Sequence, residues 1–128
     1  METRFIKMTN DKILVLGASD NINRTSYSAI KLLLNRGLQV SAIGQKKGTV
    51  DSIQVHEEIQ TNQTADIVSI FLSAKKQKKY YDYILSLKPK KIVFNPGTEN
   101  PELEFLAQKN HIQIIKGCTI ALLINGLW

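Results

Sequence analysis

A strand that ends at a glycine and passes through a short polar loop into an amphipathic helix restricts a chain to few folds. Residues Lys12–Arg36, KILVLGASDNINRTSYSAIKLLLNR, have this form. Ile13–Leu16 is a short apolar run suited to a strand covered on both faces. Gly17 breaks the run, and a largely polar loop extends from Ala18 to Thr25. Ala29, Ile30, Leu33 and Leu34 then recur at helical spacing, with Gly37 just past the end. A glycine permits the tight backbone turn at the strand's carboxyl end. The first N–H groups of the following helix lack intrahelical partners and favour an anion above that edge.

The rest of the chain repeats this alternation. Strands are expected at Gln39–Ile43, Asp66–Leu72, Lys91–Phe94 and Gln113–Lys116, helices at Ser26–Arg36 and Lys76–Leu87, and a further helix from Pro101. Thr25 or Ser26 is the expected cap of the first helix, and Asn100 of the last, with Pro101 at its first position. In the middle helix Tyr80, Tyr83, Ile84 and Leu87 mark a buried stripe. Gly44–Thr49 is expected as a glycine-bounded basic loop. Asp51–Gln60 is expected as a short extended piece at Ile53–Val55 followed by one helical turn. Met1–Asp11 is expected as a loop or an extra edge segment. Alternating strands and helices with short connections imply one domain over residues 1–128. They imply a three-layer α/β architecture with about five main strands in a doubly wound parallel sheet. The winding direction reverses between the first strand and Asp66–Leu72, and ligands of such sheets bind over the carboxyl ends there. The residues at those ends are Gly17–Thr25, Gly44–Lys47, Ser73–Ala74, Asn95–Thr98 and Gly117–Thr119.

Composition narrows the class of partner. The 17 Lys and Arg against 11 Asp and Glu leave a net charge of +6, which suits an anionic ligand and is silent on fold. A single cysteine, Cys118, excludes an internal disulfide and fits a reducing compartment. The start METRFIKM has no apolar signal region, and the longest apolar run, Ile120–Ile124, is too short to cross a bilayer. The expected setting is therefore cytoplasmic, with no membrane partner. The tail Ile120–Trp128 carries Leu122, Leu123, Ile124, Leu127 and Trp128 with little polar relief, and suggests a homo-oligomer seam.

The loop chemistry selects among nucleotide ligands. An NAD fingerprint needs glycines at its first, third and sixth positions; counted from Gly17, this chain has Ser19 and Ile22 at the other two. It also needs an acid after the second strand, where the chain has Gly44-Gln45-Lys46-Lys47. Lysines there attract a ribose phosphate, which points away from NAD and toward NADP or coenzyme A. A Walker A loop is absent, and no carboxylate cluster of a receiver domain follows the first strand.

The segments VLGASDNINRTSYSA (Val15–Ala29), AIGQKKG (Ala42–Gly48), DIVSIFLSA (Asp66–Ala74), FNPGTEN (Phe94–Asn100) and KGCT (Lys116–Thr119) stand in the order found in one family. In them the chain resembles the small CoA-binding domains, related to the N-terminal domain of the succinyl-CoA synthetase α subunit. That resemblance implies a Rossmann-like domain binding coenzyme A. It implies a pyrophosphate held about Gly17, Ala18, Ser19, Asn23, Arg24, Thr25, Ser26 and Tyr27. It places Gly44, Lys46 and Lys47 at the adenosine phosphate, and Ser73, Asn95, Pro96, Gly97 and Cys118 along the rest of the cleft. Members commonly carry Asn-Pro where this chain has Gly44-Gln45, and the apolar ending ALLINGLW also departs from the family pattern.

Several residues have plainer readings. Lys75, Lys76, Lys78 and Lys79, with tyrosines close behind, could suggest nucleic acid, but Tyr80 and Tyr83 lie at core spacing; the lysines are better explained as positive potential beside an anion cleft. Cys118 is expected to be buried and inert. His56 and His111 lack the company a metal site needs. No acid–base pair, triad or metal constellation is visible, so the expected activity is binding without turnover. The alternative is a small NADP-dependent or acyl-CoA-handling enzyme.

Overall fold

The computed structural model describes residues 11–128; the leader expected over Met1–Asp11 lies outside them except for Asp11. The strands are β1 (Lys12–Ala18), β2 (Gln39–Gly44), β3 (Gly48–Val50), β4 (Ile53–His56), β5 (Ile67–Ile70), β6 (Lys91–Phe94) and β7 (Gln113–Lys116). The helices are α1 (Thr25–Asn35), α2 (Ala74–Gln77), α3 (Tyr81–Leu87), α4 (Pro101–Lys109) and α5 (Thr119–Ile124), with a 3₁₀ turn at Lys78–Tyr80 joining α2 to α3. They form one seven-stranded sheet in the order β3-β4-β2-β1-β5-β6-β7. All its ladders are parallel except β3 against β4. This is the doubly wound, Rossmann-like α/β fold that the alternation predicts.

Period-two alternation along the strands divides the core between the two sheet faces. Ile13 and Val15 of β1 face one way and join Ile30 and Leu33 of α1 and Leu123 of α5. Leu14 and Leu16 face the other way, with Ile84 of α3 and Leu103 and Ala107 of α4. The central strands are buried on both faces, which is why β1, β5 and β6 read as continuous apolar runs. The switch point falls between β1 and β5 as expected.

Four local expectations are corrected. The basic segment after β2 is not wholly loop, because Gly48–Val50 pairs with β4 as an antiparallel edge hairpin, Thr49 opposite Gln54. No helical turn follows Val55; β4 runs to His56 and gives way to a bend. The residue capping α1 is Arg24, with Thr25 as the first helical residue and no side-chain cap bond. The expected helix over Lys76–Leu87 is broken by the 3₁₀ turn. The tail differs as well. Thr119–Ile124 is a helix that returns to the α1 face, where Arg36 Nη1 donates to the Leu123 carbonyl at 3.1 Å. Trp128 packs partly on its own domain, with Lys91 Nζ 5.1 Å from its ring centroid, and Ile124 and Leu127 are exposed. No described helix is long and apolar enough to cross a membrane.

Candidate functional site

The carboxyl ends of β1, β2, β5 and β6 open onto one edge, and two glycines bring the chain there closely enough to form it. Gly17 has φ +95°, and a Cβ on it would lie 2.9 Å from the Leu72 amide nitrogen. The turn after β1 therefore rests directly on the backbone leaving β5. A Cβ on Gly44 would come within contact-forbidding range of the Ala18 carbonyl, so the ends of β1 and β2 also require glycine to lie together.

The loop 19–24 folds on itself. The Ser19 hydroxyl accepts from the Asn21 N–H at 3.0 Å, and Asn21 Oδ1 from the Asn23 N–H at 2.9 Å. The Asn21 carbonyl accepts from the Arg24 N–H at 3.0 Å. These local bonds shape the turn while its outer side stays open: Asn23, Arg24 and Thr25 are exposed, and Ser26 is buried beneath them. Tyr27, half-buried, packs on the α1 face of the core. Because Arg24 provides no side-chain cap, the N–H groups of Thr25 and Ser26 at the positive helix end are left for an external acceptor.

The turn after β6 is built differently. Asn95 is 3% exposed and both ends of its amide are occupied. Its Nδ2 donates to Ser69 Oγ at 3.0 Å and to the Ile70 carbonyl at 2.8 Å, and its Oδ1 accepts the Thr119 N–H at 2.7 Å. Ser69 and Thr119 share a hydrogen bond of 2.7 Å between their hydroxyls. Thr98 donates its hydroxyl to the Asn95 carbonyl. Fully buried Gln77 donates to the Leu72 and Thr98 carbonyls, both at 2.8 Å, and accepts from Asn100 Nδ2. Asn100 caps α4 by accepting from the Glu102 and Leu103 N–H groups. Tyr81 OH donates to Glu102 and accepts from Asn100. Burial pushes the Tyr81 phenol up; the Asn100 bond opposes that shift and Glu102 adds to it.

The sequence-expected residues thus separate by place. Gly17 through Tyr27 and Gly44 come together at the edges of β1 and β2. Pro96 and Gly97 form the exposed rim of the second turn, and Asn95 lies beneath it. Ser73 is exposed at the cap of α2. Cys118, expected to be buried, is only half-buried at the cap of α5. Lys46 and Lys47 stand exposed on the β2–β3 connection. A cleft of about 640 Å³ opens between the end of β2 and α2, lined by Gly44, Gln45, Glu57, Leu72 and Tyr80 and by the lysines of α2 and the 3₁₀ turn. Lys46 and Lys47 are not among its lining residues. Residues 75–79 reach this cleft because Gln77 points inward and leaves its neighbours outside; the charge run itself was the sequence signal.

The family model described as CoA binding domain matches residues 11–123. The chain belongs to the CoA binding domain family. None of the curated proteins compared with it matches. A solved structure described only as an uncharacterized protein is 38% identical with a TM-score of 0.89, covering 94% of this chain and 99% of its own. A hypothetical protein from Pyrococcus horikoshii OT3 is 20% identical with a TM-score of 0.84, over 100% and 93% of the two chains. An acetyl-coenzyme A synthetase from Ca. Korarchaeum cryptofilum, in complex with phosphate and ADP, is 18% identical with a TM-score of 0.66. It covers 89% of this chain, which spans 27% of the synthetase. The last two share the fold with this CoA binding domain. The start of α1 carries no side-chain cap bond.

Proposed function

We propose that this chain binds coenzyme A over the carboxyl edge of its sheet, as a binding module without turnover of its own. Membership of the CoA binding domain family over residues 11–123 carries the reading. In it the pyrophosphate sits against Gly17, Ala18, Ser19 and Asn23, with the N–H groups of Thr25 and Ser26 as donors and the Arg24 guanidinium as a two-pronged charged partner. Tyr27 buttresses the start of α1. Ser73, the rim Pro96–Gly97 and Cys118 border the course of the pantetheine arm, and Gly44 marks the adenosine end. Among the described residues no three His, Cys, Asp or Glu side chains gather as a metal site. The single thiol suits a reducing, cytoplasmic setting.

Calorimetric titration with coenzyme A, NADP and NAD tests the ligand. Saturable heat with coenzyme A, weakening as salt rises, is the expected result. Saturation by NADP or NAD with no heat from millimolar coenzyme A would falsify the reading. Incubation with acyl-CoA or NADPH is expected to leave both unchanged.

A further inference from the structure

One helical turn carries four lysines that the fold itself does not need. Lys75, Lys76, Lys78 and Lys79 flank Gln77, the fully buried residue that pins this turn to the Leu72 and Thr98 carbonyls and to Asn100. With Gln77 fixed inward, helical geometry directs its neighbours outward, and all four line the cleft beside Gly44 and Tyr80. Among the described residues none of the four lies within ion-pair distance of a carboxylate. Lys79 Nζ stands 5.2 Å from the Tyr80 ring centroid. Like charges within one turn repel, and cations at a helix start oppose its dipole. Glu57 is the one carboxylate on the same lining, so the four lysines leave an excess of positive charge in the cleft that suits an anion from outside.

We propose that this cleft seats the adenosine end of the ligand, and that the lysines at 75–79, rather than Lys46 and Lys47, read the phosphate on its ribose. The inference rests on the coenzyme A reading above. Its volume suits part of a nucleotide. Leu72 and Tyr80 supply an apolar wall for a base, and the lysines supply charge at the rim. Lys46 and Lys47 are exposed on the hairpin connection and are not part of this lining.

The test is titration of coenzyme A, dephospho-coenzyme A and adenosine 3′,5′-bisphosphate into four variants. These are Lys75→Gln with Lys76→Gln, Lys78→Gln with Lys79→Gln, Lys46→Gln with Lys47→Gln, and Lys88→Gln with Lys109→Gln as a net-charge control. All the positions are exposed, so folding is retained. At least one pair from 75–79 is expected to weaken coenzyme A and the bisphosphate about tenfold, while dephospho-coenzyme A changes less than about twofold. The other two pairs are expected to leave all three ligands within about twofold. The inference is overturned if coenzyme A keeps its advantage over dephospho-coenzyme A in both pairs from 75–79. It is equally overturned if the Lys46–Lys47 pair abolishes that advantage, or if the control pair weakens binding as much. If the unaltered chain binds the bisphosphate through 75–79 but not coenzyme A, the cleft assignment stands and the coenzyme reading falls.

Discussion

Two turns leave the same edge of the sheet, and they spend their polar groups in opposite ways. The turn at 19–24 satisfies itself with three short-range bonds and leaves its outer surface and the start of α1 open. The turn at 95–100 is tied to β5, α2, α4 and α5 through Asn95, Thr98 and Asn100, all buried. The first has donors left for a ligand; the interior of the second has none to give, and its exposed residues are Pro96, Gly97 and Glu99. A short polar sequence after a strand therefore does not by itself identify a ligand loop. What distinguishes the two is whether the polar atoms already have protein partners.

The largest expected effect comes from the tied turn. Asn95→Ala leaves the Thr119 N–H and the Ser69 hydroxyl short of a buried partner, at a cost of about 2–4 kcal/mol in urea unfolding. The affinity of the protein that remains folded for coenzyme A should stay within about twofold. A tenfold loss of affinity at unchanged stability would make Asn95 a ligand contact and break the comparison.

Two of the glycines with positive φ, Gly17 and Gly97, sharpen it. Gly17→Ala meets both an unfavourable backbone and the Leu72 amide, and should cost about 2–4 kcal/mol. Gly97→Ala has the same backbone problem in open space and should cost about 1 kcal/mol. Equal losses in denaturant would mean that the approach of the first turn to β5 is not a constraint.

Arg24→Ala should move stability by less than about 0.5 kcal/mol, since the side chain is exposed and no cap bond is lost. It should weaken coenzyme A and dephospho-coenzyme A alike, about tenfold each, because both retain the pyrophosphate. Unequal losses would place Arg24 at the adenosine end instead.

Much of this was legible in the residues. The strand runs of β1, β5 and β6 are continuous because helices cover both faces, and Asn100-Pro101 marks the start of α4 as capping chemistry requires. Edge strand β3 was not legible: three residues beginning at a glycine carry too little periodicity, and its pairing depends on β4. Helix α5 was hidden because a six-residue apolar ending reads equally as tail or helix, and its return to the α1 face is a tertiary choice. For the site, Gly17 and the helix start could be read directly. The burial of Asn95 could not, since its partners Ser69 and Thr119 lie 26 and 24 residues away. Lysines 75–79 were visible as charge, but their place on the cleft follows only from Gln77 turning inward.

Amide chemical-shift mapping during titration with coenzyme A tests the contrast between the two turns most directly. The largest shifts are expected at residues 17–27, led by the Thr25 and Ser26 amides that start α1, with smaller changes at Gly97 and little at Asn95 and Thr98. Saturating shifts confined to 95–100, with Thr25 and Ser26 unmoved, would contradict the account.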